Sequence, residues 1–179
     1  RRRAAQQEAL SAIIAAAAAA PDLEELIGKA LDHSLRALSM TMGGMWVADH
    51  LVTRGLSSEA CEQMRAVTRT NGPNMSDPFC AEDWQTVNPL HSWSSLGPIM
   101  GKAGVRASLY VPVVAQGRQI GGLVLAAAAA RRWSEEEIAL VEAVGKQLGE
   151  SAERLALLET SRQQAQQLQR WLEQTGRSY

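Results

Sequence analysis

Apolar residues recur along the chain in two distinct periods, and the changes of period mark out the elements. From Ala4 to Ala20 nearly every residue is alanine, glutamine or an aliphatic, a composition that favours helix. Pro21 interrupts it. Leu23, Leu26, Ile27, Ala30, Leu31, Ser34, Leu35 and Leu38 then recur at three- and four-residue steps, which predicts a second helix with one buried stripe and with Asp22, Glu24 and Glu25 at its positive end. "MGGMWVADH" reads as a strand ending in a turn, and "LVTRGL" as the return strand. "SSEACEQMRAVTR" has Ala60, Met64 and Val67 on one face behind a serine cap, the pattern of a short helix.

Between Thr70 and Gly104 the periodicity fades. "TNGPNMSDPF" and "TVNPLHSWSSLGP" read as loops, "EDWQTV" as a short edge strand, and "GPIMGKAG" as a helical turn ended by Gly104. Phe79, Trp84, His91 and Trp93 fall in this stretch. Aromatics on loops are costly to expose, so the segment is expected to close over something.

Strict alternation follows. Val105, Ala107, Leu109, Val111 and Val113 alternate with Arg106, Ser108, Tyr110, Pro112 and Val114. "AQGR" supplies a turn and "QIGGLVLAAA" a partner strand, making a hairpin. Gly121 and Gly122 leave room for a helix or ligand to come close to the sheet. Pro112 has no N–H for a ladder and marks an edge or bulge. From Ser134 the helical period holds to the end of the chain, opened by a Ser134–Glu137 capping box. Val144, Ser151, Leu158, Ala165 and Leu172 keep a seven-residue spacing, while the series Val141, Leu148, Leu155 turns polar at Arg162 and Gln169.

Composition narrows the choice of function. The 179 residues carry a net charge of −1, which gives no electrostatic footprint for nucleic acid. Two cysteines do not make a disulfide framework and suit a reducing compartment, so a cytoplasmic location is expected. No apolar run reaches the ~20 residues that span a bilayer, so no membrane contact is expected. The chain starts at Arg1-Arg2-Arg3 and ends within a helical pattern, which reads as a piece of a longer protein. His33, His50 and His91 lie on separate elements without metal-ligand spacing, so no metal site is expected. No G-x-S-x-G or phosphate-loop motif is present. A Cys80–His91 pair leaves open a small cysteine-dependent enzyme.

The stretch from Ala103 to Leu158 resembles the second half of a GAF domain. The resemblance is carried by Val105-Arg106 to Pro112, by Gly117 to Leu125, by the helix start Arg132 to Glu136, and by Leu140 to Gly149; "MGGMWVAD" is similar to the family's first strand. It covers roughly residues 22–158. It implies an α+β fold: an antiparallel sheet of five or six strands with helices on one face and pocket-forming loops on the other, flanked by long N- and C-terminal helices. The implied organisation is a connecting helix over 1–20, a sensory domain over 21–158 and a signalling-helix extension over 159–179. The implied function is non-catalytic: a small molecule is bound, and the signal passes through the long helix to an effector in the same parent chain, such as a histidine kinase. A ligand-free dimerising spacer is the alternative.

Any pocket is expected beneath Asp77–Gly104, at Trp46, Trp84, His91, Trp93, Met100, Arg106 and Tyr110. A homodimer is expected through the flanking helices, at Val141, Val144, Leu148, Leu155, Leu158 and Leu172. The sequence does not name the cofactor or ligand. Bilin-binding relatives resemble this chain at His91 but carry a thiol where Leu90 stands, and no cysteine precedes Cys61, so covalent bilin is not expected. "DPFC" is similar to a second cysteine motif of such photoreceptors, in scrambled order. The cyclic-nucleotide pattern of the family is missing, and Cys61 and Cys80 do not match its methionine sulfoxide reductases.

Overall fold

Residues 2–70 and 77–177 are described by a computed structural model, with the backbone alone for Arg2, Ala5 and 67–70. The middle of the expected "TNGPNMSDPF" loop and the side chain of Val67 lie outside the described residues.

Local chemistry sets the helix starts. In α1 (Arg2–Ala19) Ile13 and Ala17 face inward, and the chain then turns at Pro21. Asp22 caps α2 (Leu23–Ala37), its carboxylate accepting the Glu25 N–H at 2.8 Å. The predicted stripe Leu23, Leu26, Ile27, Ala30, Leu31, Ser34 and Leu35 is buried. Ser57 caps α3 (Ser58–Thr70) by accepting the Ala60 N–H. Ser134 and Glu137 form the reciprocal capping box of α5 (Glu135–Gly176), which is about 60 Å long.

Five strands form one antiparallel sheet in the order β2-β1-β5-β4-β3. They are β1 (Met42–Val47), β2 (His50–Arg54), β3 (Phe79–Ala81), β4 (Ala107–Ala115) and β5 (Arg118–Ala127). The β4–β5 turn has Gln116 and Gly117 both at positive φ, 51° and 73°, as a two-residue hairpin of this twist requires. The expected edge strand at Glu82–Val87 is instead a 3₁₀ turn at Trp84–Thr86, and the edge strand lies one element earlier, at Phe79–Ala81. The Asp83 carboxylate captures the Gln85 N–H and bends the chain out of the sheet. Because β3 pairs only with Ser108–Tyr110, Pro112 sits past its end, where β4 has no partner on that side to receive an N–H.

Alternation divides the sheet into two buried faces. Met45, Val47, Leu109, Val111, Leu123 and Leu125 pack under α1, α2 and α5 with Ile13, Leu26, Ile27, Leu31, Val141, Val144 and Leu148. Trp46, Tyr110 and Val124 point the other way, toward α3, a 3₁₀ turn at Ser92–Leu96 and α4 (Gly97–Lys102). Gly104 closes α4 at φ 74°. The register between β4 and β5 slips where Val113 pairs with Gly121 but Val114 pairs with Gln119. Ile120 is the extra residue, and it packs on the helix side.

Candidate functional site

The face of the sheet opposite α1, α2 and α5 carries a continuous set of rings. Trp46 on β1 stacks on Tyr110 of β4 with centroids 6.2 Å apart, and Trp93 leans on Tyr110 at 5.0 Å. Phe79 of β3 stacks on Trp93 at 4.7 Å and nearly parallel, and also touches Trp84 at 5.8 Å and His91 at 5.0 Å. Such pairs add stability beyond the area they bury. Gly122 makes the arrangement possible: a β-carbon there would overlap the rings of Trp46 and Tyr110. The close approach expected at this glycine pair is thus made by Trp46, on the neighbouring strand.

Hydrogen bonds anchor the buried polar groups of this face. The Trp84 Nε1–H donates to Ser108 Oγ at 2.8 Å, and the Gln119 side-chain amide donates to the Tyr110 hydroxyl at 2.9 Å. Burial pushes the Tyr110 phenol well above its ordinary value, so it stays neutral. His91 accepts the Trp93 N–H at Nδ1, 3.2 Å, which leaves its ring proton on Nε2 in the neutral form. Among the described residues no buried side-chain polar atom lacks a partner.

The structure therefore brings Trp46, Trp84, His91, Trp93, Met100 and Tyr110 into one cluster. Met100 is buried within it and His91 lies at its exposed rim. Arg106 stands apart. Its guanidinium grips the Asp83 carboxylate through Nε at 3.0 Å and Nη2 at 2.6 Å, which holds Asp83 below the usual carboxylate range. Outside the rings a shallow cleft of about 240 Å³ is lined by Phe79, Cys80, Asp83, Val87 and His91 among others. Cys80 is exposed there, and its thiol is raised by burial and by Glu82. Cys61 is buried under β1, and burial pushes it up to about 11.

Three contributors escaped the sequence reading. Phe79 was visible as a loop aromatic, yet it is the hub that joins three other rings. Ser108 shares a strand face with Tyr110, and a lone polar residue on a buried face signals a hydrogen-bond partner. Gln119 reaches Tyr110 only because the Ile120 bulge shifts the phase of β5.

The long helix is the other half of the site. Gly145 and Gly149 lie against the main-chain carbonyls of Pro112 and Val114, so α5 sits directly on β4, behind Tyr110. Val141, Val144 and Leu148 are buried in the protomer's own core and Leu155 packs partly on it, whereas Leu158 and Leu172 are 46% and 54% exposed. Leu157, Leu168 and Trp171 are exposed beside them.

The sequence profile of the GAF domain matches residues 20–151. The chain belongs to the GAF domain family. Solved structures agree on the fold of this GAF domain. It is similar to a domain described as part of a two-component sensor histidine kinase from Sinorhizobium meliloti 1021, with 21% identity over 80% of this chain and 99% of that one, TM-score 0.62. It is similar to the GAF domain of a phosphoenolpyruvate-protein phosphotransferase from Coxiella burnetii, with 18% identity over 87% and 96%, TM-score 0.64. It is also similar to the GAF domain of a protein described as a sensor histidine kinase from Pseudomonas syringae pv. tomato, with 21% identity over 88% and 93%, TM-score 0.59. A comparison with curated protein sequences gave no match. Among the described residues no helix of the GAF domain is long and apolar enough to cross a membrane.

Proposed function

We propose that this GAF domain is the non-catalytic sensory module of a longer cytoplasmic signalling protein, that it takes its input from a small molecule at the aromatic face, and that it passes the change through α5 to an effector such as a histidine kinase. One observation carries the proposal: α5 is seated on β4 at Gly145 and Gly149 and then continues as an exposed helix with Leu157, Leu158, Leu168, Trp171 and Leu172 uncovered. A shift of β4 moves the helix rigidly, because main chain touches main chain. An isolated helical extension of this length is marginal in water, and an apolar stripe on it calls for a partner. A second copy in parallel fits, since identical stripes close on one another about a two-fold axis.

The fold likeness to domains of sensor histidine kinases supports this reading. The state of Cys80 does too: its thiol is raised by burial and Glu82, the reverse of what activates a nucleophile. A specific observation favours the spacer alternative. The rings of Trp46, Tyr110, Trp93 and Phe79 are packed on each other beneath Asp77–Gly104, so a ligand enters this face only by displacing them.

Two measurements test the proposal. Native mass spectrometry of the purified protein reads co-purified ligand and oligomer together; a dimer carrying a small molecule is expected. Hydrogen exchange with that ligand should slow Asp77–Gly104 and the start of α5. A ligand-free dimer with Asp77–Gly104 already fully protected establishes the spacer instead. In light scattering, Leu158→Lys with Leu172→Lys should give a folded monomer, and an unchanged dimer would sink the helical seam.

A further inference from the structure

The helix α5 leaves the domain between the tips of two hairpins, and an ion pair ties it to each. At the β4–β5 tip Arg118 pairs with Glu153 at 2.5 Å. At the β1–β2 tip the His50 Nε2 lies 2.8 Å from Glu159 Oε2, with both side chains about one-third exposed, 33% and 29%. Beyond Glu159, residues 160–174 are exposed to solvent. The two glutamates stand about 9 Å apart along the helix and about 120° apart around it, so the tips grip α5 from two sides. Between them the helix is not packed flush. A cleft of about 350 Å³ separates Ala156 and Leu157 from Val47 and Ile120.

The two pins differ in chemistry. Arg118 keeps its charge at any pH the protein meets, whereas an imidazole changes charge in the neutral range. Among the described residues, charged groups near the His50 tip include Asp49 in the same turn, Arg65 from α3, which donates to the Ala48 carbonyl and pairs with Glu62, and Arg118 and Glu153 across the cleft. None of these displaces Glu159 from the His50 ring.

The geometry points to a protonation-sensitive latch, in which His50 holds Glu159, and with it the first free turns of α5, firmly when the imidazole is charged and slackly when it is neutral. The signal-carrying helix would thus have one permanent clamp at Glu153 and one adjustable clamp six residues further on. The idea deepens the relay reading above and rests on it for its consequence, while the latch itself is a property of one protomer. The sign is fixed by the charges. Latching is present with the imidazole charged and lost once it is neutral, as long as Glu159 stays ionised.

The test is hydrogen exchange of the whole 179-residue chain, read on peptides spanning 153–165 between pH 5.5 and 8 and corrected for intrinsic exchange. Protection should be about two- to fivefold greater at the acidic end, the range for a partly exposed pair. His50→Gln and Glu159→Gln should each flatten the profile at the wild type's alkaline level, with unchanged circular dichroism. A flat wild-type profile, or a slope that survives in both variants, overturns the latch. Light scattering on the same samples separates the two ideas. A dimer without the slope removes the latch alone, and a monomer with the slope keeps the latch and removes the dimeric relay.

Discussion

Gly149 of α5 lies against the carbonyl oxygen of Val114 on β4, closer than any β-carbon would allow. Alanine normally stabilises a helix interior relative to glycine by about 1 kcal/mol. Here the added methyl meets main chain, which cannot rotate away. Gly149→Ala should therefore destabilise the domain by about 1–3 kcal/mol in urea unfolding, through forced displacement of α5. Gly176→Ala is the control: nothing lies within 4 Å of a β-carbon there, so the substitution should be neutral or stabilising. Equal effects at both sites would refute the seam.

The Trp84–Ser108 hydrogen bond ties the loop segment to the sheet. Trp84→Phe removes the donor and strands a buried hydroxyl, a loss of about 1–3 kcal/mol. Trp84→Phe combined with Ser108→Ala should recover part of it, because both partners are then gone. A double-mutant cycle in urea checks this, and strict additivity would show that the bond contributes nothing.

Glu137 completes the capping box of α5 and also receives the Arg131 guanidinium. Burial alone would raise its carboxyl, but the Ser134 backbone N–H and Arg131 outweigh burial and hold it below its ordinary 4.5. A depressed value gives stability that is full above the ordinary value and lost as pH falls through the lowered one. Glu137→Gln should lower stability by about 1 kcal/mol at pH 7. The gap to wild type should narrow as pH falls below 4.5 and the carboxylate is protonated, as read from urea midpoints. A gap independent of pH would mean that charge plays no part.

Cys61 is buried and its thiol is pushed up to about 11. Cys80 is exposed and raised less. At pH 8 a thiol reagent should modify Cys80 in the native protein, more slowly than a free thiol, and reach Cys61 only on unfolding. Rapid modification of both would show that α3 opens readily from β1.

Some of this molecule was settled within a few residues of chain at a time. The Ser134–Glu137 box, the α2 stripe and the Gln116-Gly117 turn depend on groups within a few positions of each other, so spacing alone reveals them, whereas Asp22, read only as one of the acids at the positive end of α2, is its cap. The same locality made the aromatic cluster only half legible. Trp84, His91 and Trp93 could be assigned to one side of the sheet, but Phe79 as their hub depends on where β3 pairs, at Phe79–Ala81 and not at the expected Glu82–Val87. Tertiary structure alone chose among partners that the sequence leaves equivalent. The stripe Val141, Val144, Leu148 is equally apolar whether it meets a second copy or the protomer's own sheet; β4 takes it, because Gly145 and Gly149 let the helix sit close enough to bury it there. His50 and Glu159 lie 109 residues apart and are ordinary surface residues in sequence. They meet because a helix anchored at those two glycines must pass the tip of the first hairpin on its way out of the domain.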